Sequence, residues 1–193
     1  MRVLVLFAHP VETSYNAALH RAVVEELMAA GHEVDDCDLY AEGFAPAMSR
    51  EERIDYQEIG PNRRNVEGHV ARLLAAEGLV VVHPVWNFGY PAILKGYFDR
   101  VFLPGVSFRM VERKATPGLH NIRKCAFVCT YGGSRLRAWL VGDPPRKLAR
   151  RTMRVTIQPR GRVDYHAHYD INRSTSESRE RFLGRVRSAM RAF

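Results

Sequence analysis

Five apolar residues in succession, Val3-Leu-Val-Leu-Phe7, stand near the head of this chain and show none of the in-out alternation of a half-buried strand. A strand that is apolar on both faces has to be covered on both, as in a parallel sheet between two layers of helices. A polar loop then leads to Ser14, a good N-cap; Leu19, Val23 and Leu27 recur every four residues, and Gly31 supplies a left-handed stop. Residues 33–39 form a weaker strand in which Val34 and Cys37 are the inward candidates among acids, which places it at an edge. Residues 40–65, with Pro46, Gly60 and Pro61, read as a long excursion holding a short helix at 49–56. The pattern then returns. Residues 66–76 are an amphipathic helix with Val70, Leu73 and Leu74 inward, and 79–83 are another fully apolar strand, ended by Pro84. A helix with Pro91 in its first turn turns Ile93, Leu94, Tyr97, Phe98, Val101 and Phe102 inward, leaving Lys95 and Arg100 for its surface or an interface. A strand at 125–130, a helical stretch at 146–154, an alternating strand at 163–169 and a last helix from Ser174 or Thr175 carrying Phe182, Val186 and Met190 complete the chain.

Strands alternating with helices predict an α/β fold: a five-stranded parallel sheet, doubly wound in the flavodoxin-like order, with helices on both faces and right-handed crossovers. No linker, repeat or low-complexity segment divides the chain, so residues 1–193 are expected to be one domain, and 46% apolar residues suffice for one core. Cys37, Cys125 and Cys129 are odd in number and lack CxxC spacing, which points to reduced thiols in a cytosol and to no metal held by cysteine. His166 and His168 share a strand face, but no third ligand is placed, so no metal site is expected. The longest apolar runs fall far short of the roughly 20 residues a bilayer needs, no membrane insertion is expected, and no cleavable export signal is expected before the first strand. Charge is uneven: residues 1–108 hold 9 Lys/Arg against 15 Asp/Glu, whereas 109–193 hold 20 against 6. A basic half attracts polyanions of any kind; with no stacking motif, helix-turn-helix signature or zinc spacing beside it, small anionic molecules are preferred over nucleic acid.

In such sheets ligands sit outside the carboxyl ends of the strands, at the switch of strand order, so three loops matter. Residues 8–16 lack the GxGxxG of a dinucleotide fold and the GxxxxGK[ST] of a P-loop, but offer His9, Thr13, Ser14 and Asn16 around a helix N-terminus, where a phosphate is favoured. Residues 84–91, Pro-Val-Trp-Asn-Phe-Gly-Tyr-Pro, combine aromatics with prolines and Gly89 that fix the backbone, a stacking wall for a planar ligand. Residues 130–134, Thr-Tyr-Gly-Gly-Ser, put two glycines where a ligand can approach the backbone. Together they describe a site for a flat nucleotide such as a flavin mononucleotide.

The segments AHPVETSYNAAL (8–19), DLYAEGFAPAMSREE (38–52), PVWNFGYPAILKGYFDRVFLPGVSF (84–108) and TYGGS (130–134) resemble, in order and spacing, the flavodoxin-like NAD(P)H:quinone oxidoreductases, including the bacterial members related to the modulator of drug activity. The resemblance implies FMN, with FAD the alternative, and NAD(P)H as electron donor. It implies His9, Thr13, Ser14, Tyr15 and Asn16 at the flavin phosphate, Pro84, Val85, Trp86, Asn87 and Phe88 beside the ring, and Thr130, Tyr131, Gly132 and Gly133 closing the pocket. The expected activity is a two-electron ping-pong transfer from NAD(P)H through flavin to a quinone or similar acceptor, in a cytoplasmic homodimer whose 92–102 helix and Phe108 region complete the pocket. No side chain need act as nucleophile, and Tyr131 is the one candidate catalytic side chain. The Tyr and His that some members place after the glycine pair have no counterparts in residues 135–145, and Arg135 and Arg137 are the cations nearest for an adenosine 2′-phosphate. Because the family also contains ancillary subunits of glutathione-gated potassium efflux systems, a regulatory role is the alternative; a flavodoxin-like electron carrier comes third.

Overall fold

Both faces of the first strand are covered. The computed structural model describes every residue except Arg113. The chain runs β1 (Arg2–Phe7), α1 (Tyr15–Ala29), β2 (Glu33–Asp38), α2 (Arg50–Asp55), α3 (Glu67–Ala75), β3 (Gly78–Val85), α4 (Ala92–Val101), β4 (Phe108–Val111), β5 (Lys114–Pro117), β6 (Lys124–Tyr131), α5 (Arg135–Leu140), α6 (Pro144–Lys147), β7 (Arg162–His168) and α7 (Ser176–Arg191). Five strands form one parallel sheet in the order β2-β1-β3-β6-β7, the doubly wound order expected, with β2 at an edge. Strand periodicity divides the core into two layers. Val3, Val5, Phe7, Val80, Val82, Ala126 and Val128 pack under α1 and α7, whereas Leu4, Leu6, Leu79, Val81, Cys125 and Phe127 pack under α3, α4 and the 149–157 segment.

Local chemistry sets the element ends. Ser14 caps α1 by accepting the Ala17 amide, Ser49 and Glu52 form a reciprocal capping box on α2, and Thr175 caps α7. Gly96 on α4 admits the 45–47 loop: a β-carbon there would lie 2.2 Å from the Pro46 carbonyl oxygen.

Three expectations need correction, and two elements are added to those read from the chain. β3 does not end at Pro84; it runs on to Val85, with Pro84 opposite Thr130 and Val85 opposite Tyr131, because both residues are buried and pair with β6 beyond the end of its pairing with β1. Leu74 is exposed, since α3 lies at the sheet edge and buries only Val70 and Leu73. Arg100 is no surface group: it is buried, bonded through Nη2 to Glu52 at 2.5 Å and through Nη1 to the Ala45 carbonyl. The β4–β5 hairpin and α5 were not anticipated. β4–β5 lacks an Asn-Gly turn and places Glu112 in the left-handed region, and α5 buries only Ala138 while Leu136, Trp139 and Leu140 face outward.

Candidate functional site

Strand order reverses between β1 and β3, and the loops leaving β1, β3 and β6 share the carboxyl edge. At β1, Ser14 takes the amide of Ala17 with its side chain, leaving the earlier amides of α1, Tyr15 and Asn16, aimed out of the helix end with its positive dipole. His9 Nδ1 accepts from the Val11 amide at 3.1 Å. Burial lowers the His9 pKa, so the neutral ring carries its proton on Nε2 and offers a donor at this edge. Thr13 is exposed. Tyr15 turns away, donating to the Arg179 carbonyl at 2.6 Å, with burial pushing its phenol up to about 12. Asn16 is buried; its Nδ2 donates to Thr130 Oγ1 at 2.8 Å and ties the first loop to the end of β6.

After β3 the chain makes a two-residue reverse turn. Trp86 and Gly89 exchange both backbone hydrogen bonds, at 3.2 and 2.8 Å, while Asn87 (φ 48°) and Phe88 (φ 55°) both sit in the left-handed region. This is the type I′ pattern, which asparagine tolerates and phenylalanine does not favour. Sequence reasoning assigned the backbone shape to Gly89, whose φ is ordinary; the strain lies one and two residues earlier. As a result the Asn87 and Phe88 amides have no hydrogen-bond partner among the described residues, and Trp86, Asn87 and Phe88 are exposed. The His9 ring centroid lies 5.8 Å from that of Trp86, joining this turn to the first loop. Pro84 and Val85 support it from within β3.

Thr130 and Tyr131 are strand residues, and Gly132 and Gly133 follow them. A β-carbon on Gly133 would make ordinary contact with the Arg137 side chain at 3.9 Å, while one on Gly132 would crowd Asn172 at 3.3 Å. Tyr131 is buried and donates to Asp143 Oδ1 at 2.6 Å, so Tyr165 is the donor in its 2.5 Å contact with Tyr131. Tyr169 donates to Asp143 Oδ2 at 3.1 Å. Burial drives the Tyr131 and Tyr165 phenols far above their ordinary range, so this network holds protons firmly. Asp143, Tyr165 and Tyr169 carry no signal in the sequence: Asp143 lies in a left-handed bend before Pro144, Tyr165 sits on β7 like an ordinary core residue, and Tyr169 follows just past the end of β7.

Beside this network opens a cleft of about 760 Å³ lined by Arg135, Arg146, Lys147, Arg150, Arg151 and Arg154, with Trp139 and Tyr169 as its aromatic walls. Arg135 is there as expected; Arg137 is not, its stem lying against Gly133. A second groove of about 730 Å³ runs along Phe98, Phe102, Phe108 and Val155 and meets the loops only through Tyr90. Beneath Tyr90, His83 is fully buried with Nε2 unpartnered, and burial lowers its pKa to about 4.

A parallel sheet in this order, with an anion-receptive helix end at its switch point, defines a flavodoxin-like protein. The chain belongs to the flavodoxin-like fold family, which residues 1–152 match. It is 33% identical over 150 residues to NAD(P)H dehydrogenase [quinone] 1 of Rattus norvegicus, covering 69% of this chain and 54% of the rat protein. It is 29% identical over 148 residues to FMN-dependent NADH:quinone oxidoreductase 2 of Bacillus subtilis, covering 68% and 70%. Several curated relatives, the rat protein among them, are matched over only about half their length. The solved NAD(P)H:quinone oxidoreductase of Methanothermobacter marburgensis superposes with a TM-score of 0.86 at 28% identity, covering 99% of this chain and 98% of that one.

Proposed function

We propose that the chain is a flavin-dependent oxidoreductase, holding FMN along this carboxyl edge and passing two electrons from NAD(P)H to a quinone-like acceptor in a ping-pong cycle. The observation that carries the reading is the Trp86–Gly89 turn, which spends backbone strain to present two unpartnered amides and an exposed aromatic wall beside a helix N-terminus. These groups fit the two ends of a flavin nucleotide. The Tyr15 and Asn16 amides, His9 Nε2 and the Thr13 hydroxyl are donors suited to a phosphate, with Ser14 holding the helix end open and Asn16 fixing the loop to Thr130. The Asn87 and Phe88 amides suit the polar edge of a planar ring, and the glycine pair after β6 offers it backbone rather than side chain on the other side. FMN, when bound, supplies the hydride chemistry that these side chains lack. The relatives named for FMN, NAD(P)H and quinone support the same assignment.

The chain's remaining tasks are orientation and proton handling. The six cations of the 135–154 cleft suit the phosphates of a nicotinamide dinucleotide, and Trp139 suits its adenine. Tyr131 Oη, held between Tyr165 and Asp143, keeps its proton at neutral pH and directly precedes the glycine pair in sequence. A homodimer closing over α4 and Phe108 is supported by the apolar groove there, and reduced Cys37, Cys125 and Cys129 fit a cytosolic setting. The test is anaerobic: NADPH or NADH added to the FMN-loaded protein should bleach its visible spectrum in a stoichiometric step, and a soluble quinone should restore it. A spectrum that NAD(P)H leaves unchanged would contradict the enzymatic reading and favour the regulatory one.

A further inference from the structure

Away from the carboxyl-edge loops, three ligand-type side chains converge beside the sheet edge. Cys37 Sγ lies 3.7 Å from Glu42 Oε2 and 3.9 Å from His69 Nδ1, and His69 Nδ1 lies 3.9 Å from Glu42 Oε2. The turn after β2 brings Glu42 back beside Cys37, and His69 joins them from α3. The His69–Glu42 separation is too long for the hydrogen bond that a carboxylate and an imidazole readily form at about 2.8 Å. The same near-equilateral triangle suits a shared centre, which lies about 2.2 Å from each corner, within the roughly 2.0–2.3 Å of zinc bonds to oxygen, nitrogen and sulfur.

We propose that Cys37, Glu42 and His69 bind one zinc ion per chain. Sulfur, imidazole nitrogen and carboxylate oxygen are the zinc donor set, and the mixture favours zinc over magnesium or calcium. His69 gives an imidazole lone pair, and the Cys37 thiol surrenders its proton on coordination, one proton released for each zinc–sulfur bond formed. Arg72 bonds Asp35 and Glu42 at 2.7–2.9 Å, and Arg2 also pairs with Asp35, so the Glu42 carboxylate and the Cys37 thiolate are the anions left facing the ion. Both Glu42 oxygens accept from Arg72 Nη1, Oε1 at 2.8 Å and Oε2 at 2.9 Å, and it is Oε2, with its second lone pair, that faces Cys37 and His69.

A second observation points to the same place. The Tyr97 hydroxyl is fully buried with no hydrogen-bond partner among the described residues, and its ring lies 5.7 Å from that of His69. A fourth ligand to the ion, water entering beside the partly exposed Glu42 and His69, gives that hydroxyl oxygen a donor. The ion would pin the edge strand to α3.

Tag-free protein carrying its flavin, stripped with chelator and dialysed against zinc ion, provides the test. Metal analysis should give one zinc per chain, and the zinc-edge X-ray absorption spectrum should contain a sulfur scatterer. Cys37→Ser should remove the sulfur signal, and His69→Gln and Glu42→Gln, at less buried positions, should each weaken binding tenfold or more. Absence of zinc from the wild-type chain, or undiminished zinc in any of the three folded variants, would overturn the site. Flavin content and NAD(P)H oxidation are read in parallel and bear only on the carboxyl edge.

Discussion

Phe88 is the residue whose backbone is least explained by stability. A non-glycine residue in the left-handed region costs about 1–2 kcal/mol, and its side chain is 38% exposed, so little packing offsets that strain. Phe88→Gly is therefore expected to leave thermal stability unchanged or higher while weakening FMN binding, measured by thermal unfolding of the flavin-free protein and by flavin fluorescence titration. Loss of stability with unchanged affinity would make Phe88 an ordinary packing residue. At this scale the sequence is legible where a side chain announces itself. Ser14, Asn16 and the aromatic wall could be singled out from their types. The left-handed Asn87 and Phe88, and the Tyr131–Asp143–Tyr165 contacts, could not, because φ and long-range pairing are fixed by tertiary structure.

Between elements, α1 and α7 are clamped by Glu26, which accepts from Arg191 and from Arg187, the latter at 2.7 Å. Hydrogen bonds from Arg191 and then Arg187 hold its carboxyl down to about 2. The folded pKa lies below the ordinary value, so this contribution to stability is fully present above about pH 4.5 and is lost as pH falls toward 2. Glu26→Gln should lower the melting temperature at pH 7 and flatten its decline between pH 4.5 and 2. A parallel decline in both proteins would show that the clamp does not govern the acid limb. Elements with inward apolar periodicity, β1, α1, β3, α4 and α7, were readable from the chain. α5 was not, because Trp139, Leu136 and Leu140 face outward and leave no buried stripe to detect. β4 and β5 pair only with each other, outside the main sheet, and carry no strong turn signal.

Over the whole molecule, the basic half resolves into a cleft rather than a uniform surface. Of the residues flanking it, Arg150 and Arg151 are exposed and make no ion pair with another described residue. Replacing both by alanine should raise KM for NADPH more than for NADH, and the NADPH preference of the parent should fade as salt rises. Equal effects on both nucleotides would remove the 2′-phosphate from this cleft. The cleft could not be read from charge counting, since the count is silent about which arginines converge. The sheet order was readable, and with it the edge where a ligand belongs. The central claim is that this edge holds FMN through the first amides of α1 and those of the Asn87–Phe88 turn. Titrating FMN into uniformly nitrogen-15-labelled protein tests it directly by following backbone amide shifts. The account predicts saturation at one FMN per chain with the largest changes at Tyr15, Asn16, Asn87, Phe88 and Gly133; non-saturating shifts, or changes centred on the Phe98–Val155 groove, would contradict it.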